Sequence, residues 1–428
     1  MLFVMKLRRC RRPQTMMCIV ALVVLLFTLS EEAALASPRF SRGVGIFKMM
    51  SWARVEPAPS KQFIRPAFSE SDRVVSDTEI ASLKDVGFDF VRLTVDPGPF
   101  LQFNGSDRDD LDATLLRNVR RFLKFGLKVI VDFHPGIQHE DYVPDKLVRG
   151  LDDPLFLRYV EMVRHTAKLL AREEFINAVA LELMNEPSLG IDVRSARLWE
   201  RLQRTLYRAA RDESHDLTLI VTGGQFGNYT GLVRLNPAGL KDDNTLFTFH
   251  YYLPTVFTHQ GVSNDLSCIC FFRVPYPPER DQFDRLWPAI EDRIGKLTSS
   301  GASASLPVPA ARKLLTKYLQ RSFDERNIGQ NFDEVLSWAN ANSIDPTKIL
   351  LGEFGVSRSY DENLGARDED VWRWLNDIRR AAETRKFSWA VWEYKGHGGM
   401  SIMTDDHSSE VYPVIVDALG LNAPHARP

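Results

Sequence analysis

Cysteine is scarce: the 428 residues hold 4, and Cys10 and Cys18 fall in the first twenty. The other pair, Cys268-Ile269-Cys270, is too small a set for a disulfide framework and makes only half of a zinc site. It forms either two free thiols or one strained local bridge. Basic charge is not in excess either. With 54 Lys and Arg against 56 Asp and Glu, the net charge is −2, which provides no field for nucleic acid or an anionic membrane surface. The apolar run nearest to a membrane span, Met16 to Leu29, has 14 residues, short of the roughly 20 that a bilayer needs. No HExxH pair occurs, and Gly43-Val44-Gly45 is far too little for a dinucleotide fingerprint. No metal and no cofactor is therefore expected. Residues 40 to 420 contain no Gly/Ser-rich or Pro-rich linker, which favours one domain.

What is present begins with a leader. Lys6, Arg8, Arg9, Arg11 and Arg12 precede the apolar run, and Ala34-Leu35-Ala36 follows it before Ser37, the layout of a secretory signal peptide. Residues 1–36 are expected to be removed, leaving a secreted or periplasmic chain of 37–428 with no stable membrane association. Losing the leader's five basic and two acidic residues moves the net charge from −2 to −5. Composition is otherwise that of an ordinary globular domain, 44% hydrophobic and 26% charged.

Along the chain one pattern recurs: a short apolar or β-branched run, a polar exit, then helical spacing. Eight such runs read as strands: Val44 to Phe47, Phe90 to Thr94, Lys128 to Phe133, Val179 to Leu183, Leu217 to Val221, Leu246 to His250, Ile349 to Glu353 and Ser388 to Trp392. Between the second and third, Leu111, Leu115, Leu116, Val119, Phe122 and Leu123 line one helical face, and Gly126 stands where a C-terminal cap belongs. Strands alternating with helices imply a parallel sheet, and eight units imply a single α/β domain closed as a (β/α)8 TIM barrel. A barrel needs about 250 residues. Much of the excess falls between the sixth and seventh strands, in an insertion over about 251–348. With both ends beside the strand exits and aromatics between Phe271 and Trp287, this segment is expected to form a wall or lid over the active face.

In such a barrel the active site is built where strands finish. The exits carry Arg92 in FVRLT, His134 in DFHP, Asn185 and Glu186 in LELMNEP, His250 and Tyr252 in FHYY, Glu353 in GEFG and Trp392 in SWAVW. Two glutamates on opposite sides of one rim are what cleavage of a glycosidic bond requires: one protonates the leaving oxygen, the other attacks or stabilises the anomeric carbon. Glu182 shares a strand face with Glu186 and is expected to point inward and pair with Arg92. Trp392, with Trp52 and Phe47, suits stacking on pyranose rings.

Together RGVGIF, FVRLT, DFHP, LELMNEP, FHYY, GEFG and WAVWEY resemble glycoside hydrolase family 5, the cellulase-like retaining glycosidases, over about residues 42 to 400. The resemblance implies that Glu186 is the acid/base, Glu353 the nucleophile, and Arg92, His134, Asn185, His250, Tyr252 and Trp392 the substrate-binding set. The expected activity is hydrolysis of a β-linked polysaccharide or oligosaccharide, first as an endo-β-glucanase. A mannanase or an exo-β-glucosidase on the same fold is the alternative, and a catalytically silent carbohydrate-binding protein is the alternative of another class.

Overall fold

Eight strands pair in chain order and close on themselves: β1 (Arg42–Met50), β2 (Phe90–Val95), β3 (Lys128–Phe133), β4 (Val179–Glu182), β5 (Thr218–Thr222), β6 (Thr245–His250), β7 (Ile349–Glu353) and β8 (Ser388–Val391). Every neighbouring pair is parallel, including β1 with β8. This computed structural model describes residues 40–70, 73–190, 192–262, 268–299, 306–360, 364–396, 399–405 and 408–422. The expected leader, residues 1–36, lies outside them. β3 and β7 have the limits read from sequence, whereas β1 is longer at both ends and β4 stops at Glu182.

The strands are buried on both faces, as parallel strands between helices and a barrel interior must be. Inside, one residue from each of seven strands (Phe90, Ile130, Ala180, Ile220, Leu246, Leu350 and Ala390) forms an apolar floor with Phe40. β1 contributes space instead of bulk. A Cβ on Gly43 would sit 2.3 Å from the Phe90 ring, and one on Gly45 would sit 2.9 Å from Trp392. The two glycines thus leave room for those rings.

Outside, long helices cover the barrel: α1 (Ser106–Lys124), α2 (Pro154–Leu170), α3 (Val193–Arg211), α4 (Phe283–Ser299), α5 (Val308–Gln320), α6 (Glu325–Ala341) and α7 (Asp368–Thr384). On α1 the buried set includes Leu111, Leu115, Leu116, Val119 and Phe122, each contributing roughly 1.5–3 kcal/mol by burial. Gly126 follows with φ of 75°, the left-handed step that ends such a helix. α2 and α3 start on Asp153 and Asp192, whose carboxylates accept from first-turn N–H groups.

The insertion corrects one expectation. Its aromatic stretch is core: Phe271, Val274 and Tyr276 are fully buried and Trp287 nearly so. Tyr276 donates to Asp377 on α7 at 2.9 Å, and Tyr318 on α5 donates to the Pro275 carbonyl at 2.6 Å. The segment around α4 and α5 therefore packs on the barrel's flank. Among the described residues of the insertion, only Tyr252, His259 and Val262, all at its start, line the cleft described below. Helical periodicity shows that a face is buried but not against what. Cys268 and Cys270 are both buried and not bridged to each other, and the Cys268 thiol donates to the Thr255 carbonyl at 3.6 Å.

Candidate active site

Side chains alternate along a strand, so two residues above each floor residue the chain again faces the barrel interior. Those positions are Arg92, Asp132, Glu182, Thr222, Thr248, Gly352 and Trp392. A polar layer therefore lies directly above an apolar one.

Arg92 is its hub, with none of its surface exposed. Its Nε and Nη2 donate to the two oxygens of Glu182 at 2.7 and 2.8 Å, and Nη1 donates to Glu353 Oε1 at 2.6 Å. Nη2 also reaches Asn185 Oδ1 at 2.8 Å and Asp132 Oδ2 at 3.0 Å. One guanidinium thus serves three buried carboxylates. The contacts propagate outward. Arg92 has only donors, so Asn185 must turn its oxygen to it and its Nδ2 to His134 Nε2, 3.2 Å away. His134 then accepts at Nε2 and donates from Nδ1 to Asp132 at 2.9 Å. Burial disfavours a charge on His134, but Asp132 outweighs it and raises the pKa. A second proton on the ring would break the Asn185 contact.

The two rim glutamates have different surroundings. Glu353 is buried, and burial alone would raise its pKa. Charge on His250 and on Arg92 outweighs that and holds it at about 2. The Tyr252 hydroxyl donates to its Oε2 at 3.0 Å. Glu186 is one-third exposed and accepts from His250 Nδ1 through Oε1 at 2.8 Å. That same Nδ1 lies 3.5 Å from Glu353 Oε2, so His250 stands between the two carboxylates. Burial lowers the His250 pKa, but Glu353 and Glu186 raise it further. One oxygen of Glu186, one of Glu353 and a ring nitrogen of His250 all lie within 4.8 Å of one another. By type these atoms could ligate a divalent cation. However, the partners just described, Arg92 and Tyr252 on Glu353 and His250 on Glu186, already compensate both carboxylates with cations and N–H or O–H donors.

Glu186 is delivered by strained backbone. Its φ is 39°, a left-handed conformation that costs a non-glycine residue of order 1–3 kcal/mol and clusters at functional sites. The surrounding contacts fix it. Asn185 N donates to the Phe133 carbonyl, and Phe226 N to the Pro187 carbonyl.

These groups open into a cleft of about 390 Å³ lined by Phe47, Trp52, His134, Glu186, Tyr252, His259, Glu353, Trp392 and others. Trp392 lies parallel to His134 at 5.7 Å, and Phe47 meets both Trp52 and Trp392 edge-on. Arg73 donates to the carbonyls of Lys48 and Trp52, which ties down the Trp52 loop. A larger groove, about 560 Å³, runs between Phe100 to Arg108 and Leu157 to His165. It contains neither glutamate, so the chemistry is assigned to the smaller cleft.

All eight residues singled out from the sequence meet here. Arg92, Asn185 and His250 are buried, Glu353 is buried at the cleft's base, and Glu186, His134, Tyr252 and Trp392 line its walls. Glu182 pairs with Arg92 as expected. Asp132 is not among the residues expected from the strand exits, although it lies two residues before His134 on the same strand face, a spacing that turns both inward. His259, Val262 and Met400 come from loops and carry no such signal.

The family model for cellulase (glycosyl hydrolase family 5) matches residues 68–398. Among curated proteins, endoglucanase C of Acetivibrio thermocellus is 25% identical over 332 residues, covering 76% of this chain and 85% of that one. Endoglucanase 3 of Fibrobacter succinogenes is 23% identical over 344 residues, and the chain spans only 46% of its length. Among solved structures, an endoglucanase of Thermotoga maritima superposes with a TM-score of 0.61 at 19% identity, over 90% of this chain and 99% of that one. The cellulose synthase subunit Z of Clostridioides difficile does so with a TM-score of 0.60 at 21% identity, over 89% and 99%. The barrel, the rim and the family match agree: this chain belongs to glycoside hydrolase family 5 and is a glycoside hydrolase.

Proposed function

We propose that the protein is an exported endo-β-glucanase that cleaves with retention of configuration, Glu353 acting as nucleophile and Glu186 as acid/base. The observation that carries this reading is the pair of carboxylates with oxygens within 4.8 Å of each other and unlike environments. Retaining glycosidases keep the two carboxyl groups about 5–5.5 Å apart, whereas inverting ones leave room for a water at about 6.5–9.5 Å.

In the first step a Glu353 oxygen forms a bond to the anomeric carbon. The glycosidic bond breaks with its electron pair going to the leaving oxygen, and that oxygen takes the Glu186 proton. In the second step water attacks the same carbon, Glu186 takes its proton, and Glu353 departs as carboxylate. Arg92 and Tyr252 keep Glu353 ionised for attack. His250 holds Glu186 facing the bond. The second N–H of Asn185 Nδ2 is free to meet the sugar 2-hydroxyl, a contact that strengthens as the ring flattens. Trp392, Trp52 and Phe47 offer apolar faces to pyranose rings.

Glucan is preferred as substrate because four curated relatives are endoglucanases and a fifth is a cellodextrinase. Following the anomeric proton of the first-formed product by NMR tests the mechanism: retained product is expected, and inverted product would sink it. Sizing products from a panel of β-glucans, mannan and aryl glycosides tests the substrate. Export rests on the leader pattern alone. N-terminal sequencing of protein recovered outside the cytoplasm should begin at Ser37.

A further inference from the structure

Two features of the Arg92 contacts go beyond holding the nucleophile ionised. A guanidinium binds a carboxylate most strongly through two parallel N–H bonds. In this site that two-pronged edge, Nε with Nη2, faces Glu182, which touches no part of the cleft, while Glu353 receives one N–H from Nη1. Both Glu182 oxygens accept, so it binds as carboxylate. Asp132 and Asn185 share what remains of Nη2. Glu353 is further faced by His134, Glu186, His250 and Tyr252, with Glu393 lining the same cleft.

We propose that Glu182 is a positioning residue that sets the basicity of the nucleophile, by occupying the two-pronged edge of Arg92 and leaving Glu353 a single bond from it. This rests on Glu353 being the nucleophile. The two halves of a retaining reaction make opposite demands on that carboxylate. A more basic carboxylate attacks the anomeric carbon faster, and a less basic one leaves it faster. Dividing Arg92 among three carboxylates keeps Glu353 ionised without making it so weak a base that attack is slow.

Glu182→Gln keeps one acceptor but turns an N–H towards the guanidinium, so the paired edge is lost and more of Arg92's charge falls on Glu353. Formation of the glycosyl-enzyme, read as kcat/KM on aryl glycosides with poor leaving groups, should fall about tenfold, the worth of one bond to a charged group. Release, read as the half-life of the adduct left by a 2-deoxy-2-fluoroglycosyl fluoride, should become several-fold faster. A purely structural role would not split the two steps. Equal loss in both, or a longer-lived adduct, overturns the proposal. Should the amide variant not fold, Glu182→Asp is measured in the same way. Its carboxylate is one methylene short, so a smaller split of the same sign is expected, and uniform loss or wild-type behaviour in both steps overturns the proposal. Failure of the underlying reading would show separately, because wild-type enzyme would then form no adduct at Glu353.

Discussion

Tyr252→Phe deletes one hydroxyl and little else, so its effect can be worked out from the geometry. The hydroxyl donates to Glu353 Oε2 at 3.0 Å and stabilises the ionised carboxylate. A hydrogen bond to a charged group contributes about 1.5–3 kcal/mol. The tyrosine is only partly buried, so the lower end applies, and about 1.5 kcal/mol is about one pKa unit. The sign follows from which form gains: losing a donor to the anion raises the pKa. Glu353, held at about 2 in the intact site, should therefore rise by about one unit. Because attack needs the carboxylate, the acid limb of kcat/KM on an aryl glycoside should move up by about one pH unit. The more basic carboxylate is also a poorer leaving group. With an activated aryl glycoside the glycosyl-enzyme should accumulate and the half-life of its 2-fluoro adduct should lengthen, opposite to the shift expected for Glu182→Gln. An acid limb that stays in place or moves down, or an adduct that turns over faster, would refute the reasoning.

Arg92→Met should destabilise the fold by about 3–5 kcal/mol in urea unfolding, because Glu182, Asp132 and Glu353 would be left in the barrel without their shared cation. Glu186→Ala should retain turnover of aryl glycosides whose leaving group needs no proton, lose polysaccharide hydrolysis by a factor on the order of 10²–10⁴, and yield a glycosyl azide when azide is added. Trp287→Ala, on the flank helix α4, should cost about 3–5 kcal/mol in the same unfolding assay while leaving the length distribution of polysaccharide products unchanged. A changed distribution would restore the lid. On acidification, the part of folding stability owed to Glu353 is present above its ordinary range near 4.5 and is lost as pH falls towards about 2.

Much of the barrel was legible because strand and exit carry different chemistry. In Leu181-Glu182-Leu183-Met184-Asn185-Glu186-Pro187 the apolar half builds wall and the polar half reaches the rim, and the same change of character marks the other strands. The inward period of two then runs from Ile130 through Asp132 to His134, and from Ala180 to Glu182, so the floor and the layer above it are written in spacing. The left-handed turn at Glu186 is not written there, because it is imposed by loops that meet only after folding. Nor was the role of the insertion readable. Tyr276 and Trp287 have the composition of sugar platforms and of core alike, and only the Tyr276 bond to Asp377 on α7 and the stacking of Arg312 of α5 over Trp287 distinguish the two.

The central claim is that Glu353 becomes covalently bonded to sugar. Incubating the wild-type enzyme with a 2-deoxy-2-fluorocellobiosyl fluoride, digesting it and sequencing the modified peptide by mass spectrometry tests this directly. One fluoroglycosyl group per chain, on Glu353 within Leu351-Gly352-Glu353-Phe354, is the predicted result. A label on Glu186 or elsewhere, or no label on an enzyme that turns over the corresponding cellobioside, would contradict it.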